Sequence, residues 1–287
     1  MLFARMEDVP YEYAHPSSEA PTKEFLCGRL AKPSNPSNSM VMLLPNVLGV
    51  KTFDEARAAV LCSNLQTNVL VVDLYGEKAL PRAWRDDRAK ASPVAFPLMN
   101  EHLADPVRLR GKLQAALDAG KRACGATKVA AVGFCFGGAC ALEMLRAGMD
   151  LKAVVSLHGT IDAMPVADPG GGPPPKRAVE IPHRHTPGAH VLVATGIQDP
   201  LVPRPKLAAF EEEMSRAPVA EWTVLAVGNA KHAFTDNPST PAGAFGGYHE
   251  AAARQSWNAT LDLLRCTLEL PDTLQLDHRL WARLTKM

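Results

Sequence analysis

At 287 residues the chain is long enough for one large α/β domain or two small ones. Hydrophobic residues make up 47% and charged residues 21%, a balance that supports a substantial buried core. The 31 basic and 30 acidic residues are interspersed and leave a net charge of +1, which argues against nucleic acid or an anionic membrane as a partner. No apolar run reaches the length of a membrane span. The first twenty residues carry Glu7, Asp8, Glu12 and Glu19 with no apolar core, unlike a secretory signal, and are too acidic for an organelle transit peptide. Six scattered cysteines (Cys27, Cys62, Cys124, Cys135, Cys140, Cys266) lack framework spacing and read as reduced thiols. Cytoplasm is the expected compartment.

In chain order, residues 1–22 read as an N-terminal extension. Glu24 to Leu30 partly alternates and reads as an early antiparallel strand. After the turn cluster Pro33–Ser39, Met40 to Leu44 is an all-apolar run suited to a strand buried on both faces. Pro45 to Val50 makes a loop, and Thr52 reads as the N-cap of a helix from Phe53 to Leu65, with Glu55 as its capping-box partner. Val69 to Asp73 is the next buried strand. Residues 77–98 read as irregular, being rich in charge and proline. Asp105-Pro106 opens a long helix from Val107 to about Ala123.

A further apolar strand begins at Val129 and ends in Gly133-Phe134-Cys135-Phe136-Gly137-Gly138, and a helix-forming run, Ala139 to Leu145, follows at once. Leu151 to Leu157 is another buried strand, closed by His158-Gly159. Residues 161–188, with Gly170-Gly171-Gly172 and Pro173-Pro174-Pro175, read as a surface loop. Ala189 to Thr195 restores a strand, closed by Gly196-Ile197-Gln198-Asp199-Pro200. Then come a helix from Pro205 to Arg216, a strand from Trp222 to Val227, a loop holding His232, a helix from about Tyr248 to Leu268, and a short tail. Alternating strands and helices predict a doubly wound, mainly parallel α/β sheet in a single domain over 1–287.

A strand that turns sharply into a helix, with glycines two before and two after a nucleophile, is the geometry of an α/β-hydrolase elbow, here with a thiol. The bland alternative is a buried core cysteine beside a tight turn. A thiol needs a base, and the base needs an orienting acceptor. In that fold nucleophile, acid and histidine follow successive strand ends in this chain order, and Cys135, Asp199 and His232 do so. Alone, Asp199-Pro200 could be a turn initiator and His232 a surface histidine; together they are far more specific. His158 is a competing imidazole, but its strand directly follows the elbow helix, the wrong place for the triad histidine.

These residues make the chain resemble the dienelactone hydrolase family, the thiol branch of the α/β-hydrolase fold. The matching segments are Leu44–Val50, Val72–Gly76, Gly133–Gly138, Gly196–Pro203 and His232–Pro238, together spanning about residues 24 to 268. The resemblance implies a three-layer αβα fold and hydrolysis of small lactones or esters through an acyl-cysteine. His232 would act as base with Asp199 holding its tautomer, and the backbone N–H groups of Phe136 and Val47 would form the oxyanion hole. It implies no cofactor, a small-molecule ester or lactone as partner, and a monomer or homodimer.

Two departures matter. Members that act on dienelactone have a glutamate at the position of Asn46, which helps to form the thiolate, and an arginine four residues after the histidine, where this chain has Asp236. The second substrate-gripping arginine has no secure counterpart among Arg82, Arg85 and Arg88. A neutral lactone, ester or thioester is therefore the implied substrate. Asn46, Asp236, Phe134 and Trp84 are the expected pocket residues, although Trp84, Phe96 and Met99 could equally anchor their loop to the core. His183-Arg184-His185 and His190 read as solvated histidines, with no metal expected. Two other readings stay open: a ligand-binding or sensory protein with little turnover, which Asn46 favours, and an amidotransferase or redox-chaperone domain, which the absence of a glutamate two residues after His232 disfavours.

Overall fold

The apolar runs become strands whose alternate residues enter two different cores. A computed structural model of the chain describes residues 5–16, 23–164, 183–243 and 245–271. The strands are β1 (Met6–Ala14), β2 (Lys23–Ala31), β3 (Ser39–Leu44), β4 (Asn68–Val71), β5 (Lys128–Phe134), β6 (Ala153–Leu157), β7 (His190–Gly196) and β8 (Glu221–Val227). Among the described residues these eight form one sheet in the order β1-β2-β4-β3-β5-β6-β7-β8. The β1–β2 and β2–β4 pairs are antiparallel and the remaining pairs are parallel.

The helices are α1 (Thr52–Leu65), α2 (Gly76–Ala79), α3 (Arg82–Arg85), α4 (Arg88–Ala104), α5 (Pro106–Cys124), α6 (Phe136–Arg146), α7 (Arg204–Arg216) and α8 (Glu250–Thr267). One core lies between the sheet and α4 to α7, and takes Met40, Met42, Val129, Ala131, Val191 and Val193. The other lies under α1 and α8 and takes Val41, Leu43, Ala130, Val132, Leu192 and Ala194. Strand side chains alternate in direction, so burial on both faces requires an apolar residue at every position. The result is the doubly wound α/β-hydrolase architecture. No helix among the described residues is long and apolar enough to cross a membrane.

Three expectations are corrected. The N-terminal extension contains β1, where Val9, Tyr11 and Tyr13 are buried and alternate with exposed neighbours. The Tyr11 hydroxyl donates to the Asp73 carbonyl and accepts the Asp73 N–H at 3.1 Å, which pins β1 to the end of β4. Residues 77–98, read as irregular, are mostly helical. The Asp87 carboxylate caps α4 by accepting the Ala89 and Lys90 N–H groups. Pro93 and Pro97 are one turn apart on its exposed side, where the carbonyls they leave unbonded meet water, while Ala91 and Ala95 face the core. Finally, α1 is capped one residue earlier than expected. Lys51 is the N-cap, its N–H donating to Asp54 at 3.2 Å, and Glu55 pairs instead with Arg29 at 3.0 Å. Most of the 161–188 tract and the tail beyond residue 271 lie outside the described residues.

Candidate active site

Cys135 sits where β5 ends and α6 begins, at φ 54° and ψ −118°, a conformation costly for any residue with a side chain. Packing enforces it. A Cβ on Gly133 would stand 1.9 Å from the Gly137 carbonyl oxygen, and one on Gly137 would stand 2.0 Å from that of Leu44. Only glycines let β5, the α6 N-terminus and the end of β3 approach so closely. The Cys135 N–H donates to Leu157 at 3.0 Å, tying the turn to β6. The half-buried sulfur stands at the N-terminus of α6, where unpaired N–H groups favour negative charge.

Asp199 lies in the turn after β7 and is 3% exposed. One carboxylate oxygen accepts the Leu201 N–H at 2.9 Å, which fixes the orientation of the other. His232 lies in the loop after β8, its N–H donating to Phe245 at 3.2 Å. The two loops are stitched together by Gln198 N–H donating to Ala230 at 3.0 Å. As a result His232 Nε2 is 3.1 Å from Cys135 Sγ, and His232 Nδ1 is 2.9 Å from Asp199 Oδ2. Burial opposes charge on His232, but the Cys135 sulfur and the hydrogen bond and charge of Asp199 outweigh it and push the ring up to about 10. The arrangement therefore favours a protonated His232 ring beside the Cys135 sulfur.

Asn46 closes the loop after β3. Its side-chain oxygen accepts the Leu48 N–H at 3.1 Å and its carbonyl accepts the Gly49 N–H at 3.0 Å. The Val47 and Phe136 N–H groups have no backbone acceptor among the described residues.

The sequence pattern of the dienelactone hydrolase family matches residues 26–268, most of the chain. The chain belongs to the dienelactone hydrolase family. An uncharacterized Caenorhabditis elegans protein, K02A2.1, is 34% identical over 164 residues, which are 55% of this chain and 93% of that one. A dienelactone hydrolase-like promiscuous phosphotriesterase, P91, from metagenomic libraries is 29% identical, with a TM-score of 0.67 over 91% of this chain and 98% of that chain. A putative dienelactone hydrolase from Klebsiella pneumoniae shares the fold at 18% identity, with a TM-score of 0.61 over 90% of this chain and 98% of that one.

Within this dienelactone hydrolase relative the other expected pocket residues are dispersed. Phe134 is corrected: it is fully buried on the α1 side of the sheet, 4.1 Å from the Arg57 guanidinium. Strand parity decides this, since residues 130, 132 and 134 of β5 all point to that core. Trp84 is 42% exposed on α3, while its neighbour Arg85 turns inward. Asp236 is half-buried, with its negative charge felt by the buried Arg57. Of the candidate arginines, Arg85 is held by Asp73 at 3.1 Å and Arg82 by the Cys27 carbonyl at 2.6 Å. Arg88 is exposed, with its guanidinium beside Gly243.

Sequence reading missed the pattern beneath His232. His158, placed there only as a rejected competitor, is fully buried with its ring centroid 5.3 Å from that of His232. His183, His185 and Glu213 bring possible metal-ligating atoms within 4.8 Å of one another. However, Arg146 already occupies both Glu213 oxygens at 2.8 Å, and its cation disfavours a second one there.

Proposed function

We propose that this family member hydrolyses small uncharged esters or lactones through an acyl-cysteine. One observation carries the reading: the unbroken chain from Cys135 Sγ through His232 to Asp199, set on a strained elbow. His232 holds the thiol proton, so the sulfur attacks the acyl carbon as a thiolate. The Val47 and Phe136 N–H groups, which have no backbone acceptor among the described residues, would receive the oxyanion. As the tetrahedral intermediate collapses, the C–O bond breaks and His232 Nε2–H gives its proton to the departing alkoxide. A water molecule then attacks the thioester, His232 takes its proton, and the C–S bond breaks to release the acid and restore the pair. Asp199 keeps Nδ1–H oriented throughout.

The uncharged substrate follows from the charges around the site. Arg82 and Arg85 are already engaged, and Asp236 stands in the position where carboxylate-binding members carry arginine. The oxygen of Asn46 is occupied by the Leu48 N–H, and an amide cannot accept the thiol proton. That observation favours the second reading, a ligand-binding protein that acylates without turnover.

The deciding experiment follows p-nitrophenyl acetate with wild type and Cys135→Ala. Steady release that disappears in Cys135→Ala is expected, and unchanged release in the purified variant ends the hydrolase reading. A single stoichiometric burst with a stable Cys135 adduct supports the binding protein instead. Since the P91 relative is called a promiscuous phosphotriesterase, a phosphotriester belongs in the same panel.

A further inference from the structure

We propose that His158 is a positioning residue: it holds the 232–236 turn so that His232 reaches Cys135. The proposal rests on reading Cys135 and His232 as nucleophile and base.

His232 stands in a loop without regular structure. The next residue, Ala233, has φ +59°, an unfavourable conformation for alanine that its surroundings must impose. Asp236 N–H donates to the Ala233 carbonyl at 2.9 Å and closes a tight turn. Phe234 and Thr235, inside that turn, are both fully buried, and both meet His158. The Thr235 hydroxyl is 2.6 Å from His158 Nε2, and the Phe234 ring packs edge-on with centroids 4.9 Å apart. The His232 ring is also edge-on to His158, at 74° between planes. One imidazole therefore touches three of the five residues of the turn.

His158 is itself anchored to the sheet. It follows β6, its N–H donates to Ala194 on β7 at 2.8 Å, and it carries a strained φ of +42°. Behind it Arg57, fully buried and paired with Asp54 at 3.2 Å, donates to the Thr235 carbonyl, so Thr235 is gripped at its hydroxyl and at its carbonyl. Packing restrains rotation of the His232 ring, and rotation would break the contacts of Nδ1 and Nε2 together. Burial, followed by the charge of His232 and then of Arg57, keeps His158 neutral, so it does not compete for the proton that His232 takes.

The test compares wild type, His158→Phe, His158→Gln, Thr235→Val and the His158→Phe/Thr235→Val double variant on an activated ester. Turnover is counted per Cys135 site in the folded fraction alone, isolated by gel filtration and checked by near-UV circular dichroism and its urea midpoint. A loss of folding lowers the number of competent sites; misplacement lowers kcat per site. The expectation is a kcat per site down about 30-fold in His158→Phe and about tenfold in Thr235→Val, with KM within about twofold. His158→Gln, which keeps a donor, should recover part of the loss. The double variant should be no worse than His158→Phe, because both break one contact. Wild-type kcat per site in His158→Phe or in Thr235→Val, or fully additive losses, overturns the proposal. If His158→Phe does not fold, Thr235→Val decides alone. If wild type shows no turnover, the hydrolase reading fails instead. The Cys135 alkylation rate at pH 6 then tests His158 separately, and equal rates in wild type and Thr235→Val overturn it.

Discussion

His102 and His232 are both enclosed, at 1% and 5% exposure, yet their surroundings drive them in opposite directions. His102 Nδ1–H donates to the Leu98 carbonyl at 2.6 Å, and its Nε2 faces the Lys112 ammonium at 3.1 Å. Burial and then that cation push the ring down to about 4. Burial acts the same way on His232, but its neighbours are a sulfur and a carboxylate, and the ring rises to about 10. Burial by itself lowers both rings; the cation beside His102 adds to that shift, and the negative neighbours of His232 reverse it. His102 thereby becomes a neutral strut. With Lys112, which also bonds Glu24 at 2.7 Å and the Leu74 carbonyl at 2.9 Å, it joins α4, α5, β2 and the loop after β4. His232 becomes a proton holder.

The contrast should be plainest in activity. His232→Gln cannot carry the proton and is expected to lower kcat on an activated ester by about a thousandfold. His102→Gln should stay within about tenfold, since its ring touches Tyr75 and Phe136 but neither Cys135 nor Asp199 in these contacts. Comparable losses in the two variants would erase the distinction.

Stability should show the reverse ranking at His102's partner. Lys112→Met leaves the Leu74 carbonyl, His102 Nε2 and Glu24 without their donor and should cost about 3 kcal/mol in urea unfolding at pH 7. A loss below about 1 kcal/mol would mean the buried lysine is no strut.

The smallest effects separate the two rings by pH. The folded His102 binds its proton near 4 and an unfolded one near 6.5, so its stabilisation is present above about 6.5 and is lost as pH falls towards 4. For His232 the folded value is about 10, so its stabilisation is present below about 6.5 and is lost as pH rises towards 10. Urea midpoints from pH 4 to 10 should show the acid limb flattened in His102→Gln and the alkaline limb flattened in His232→Gln. His158, also lowered, leaves part of the acid slope in place. An unchanged limb in either variant would show that its ring is not the titrating group.

The site was more legible in the sequence than its supports. Gly133, Cys135 and Gly137 announce a tight strand–helix turn because the crowding acts over five residues. Asp199 and His232 are legible as types in order after strand ends. Thr235 and Lys112 carry no such mark. A threonine three residues after a histidine is commonplace, and a lysine in an amphipathic helix ordinarily reaches water. Their roles come from His158 and Glu24, which are 77 and 88 residues away. Strand β1 shows its alternation at Val9, Tyr11 and Tyr13, but Tyr11 gains its meaning only at Asp73.

What the sequence by itself determined is the alternation of buried strands and helices, the family, and the three residue types placed to meet at one end of the sheet. The first and last of these depend on local periodicity, glycine sterics and chain order, whereas the family rests on the likeness of whole segments such as Gly133–Gly138 and His232–Pro238. Tertiary structure alone decided which sheet face each residue enters, moving Phe134 from the expected pocket to the core around Arg57. It also decided the protonation of His102, His158 and His232. A histidine in a sequence has no dielectric and no neighbour until the chain has closed around it.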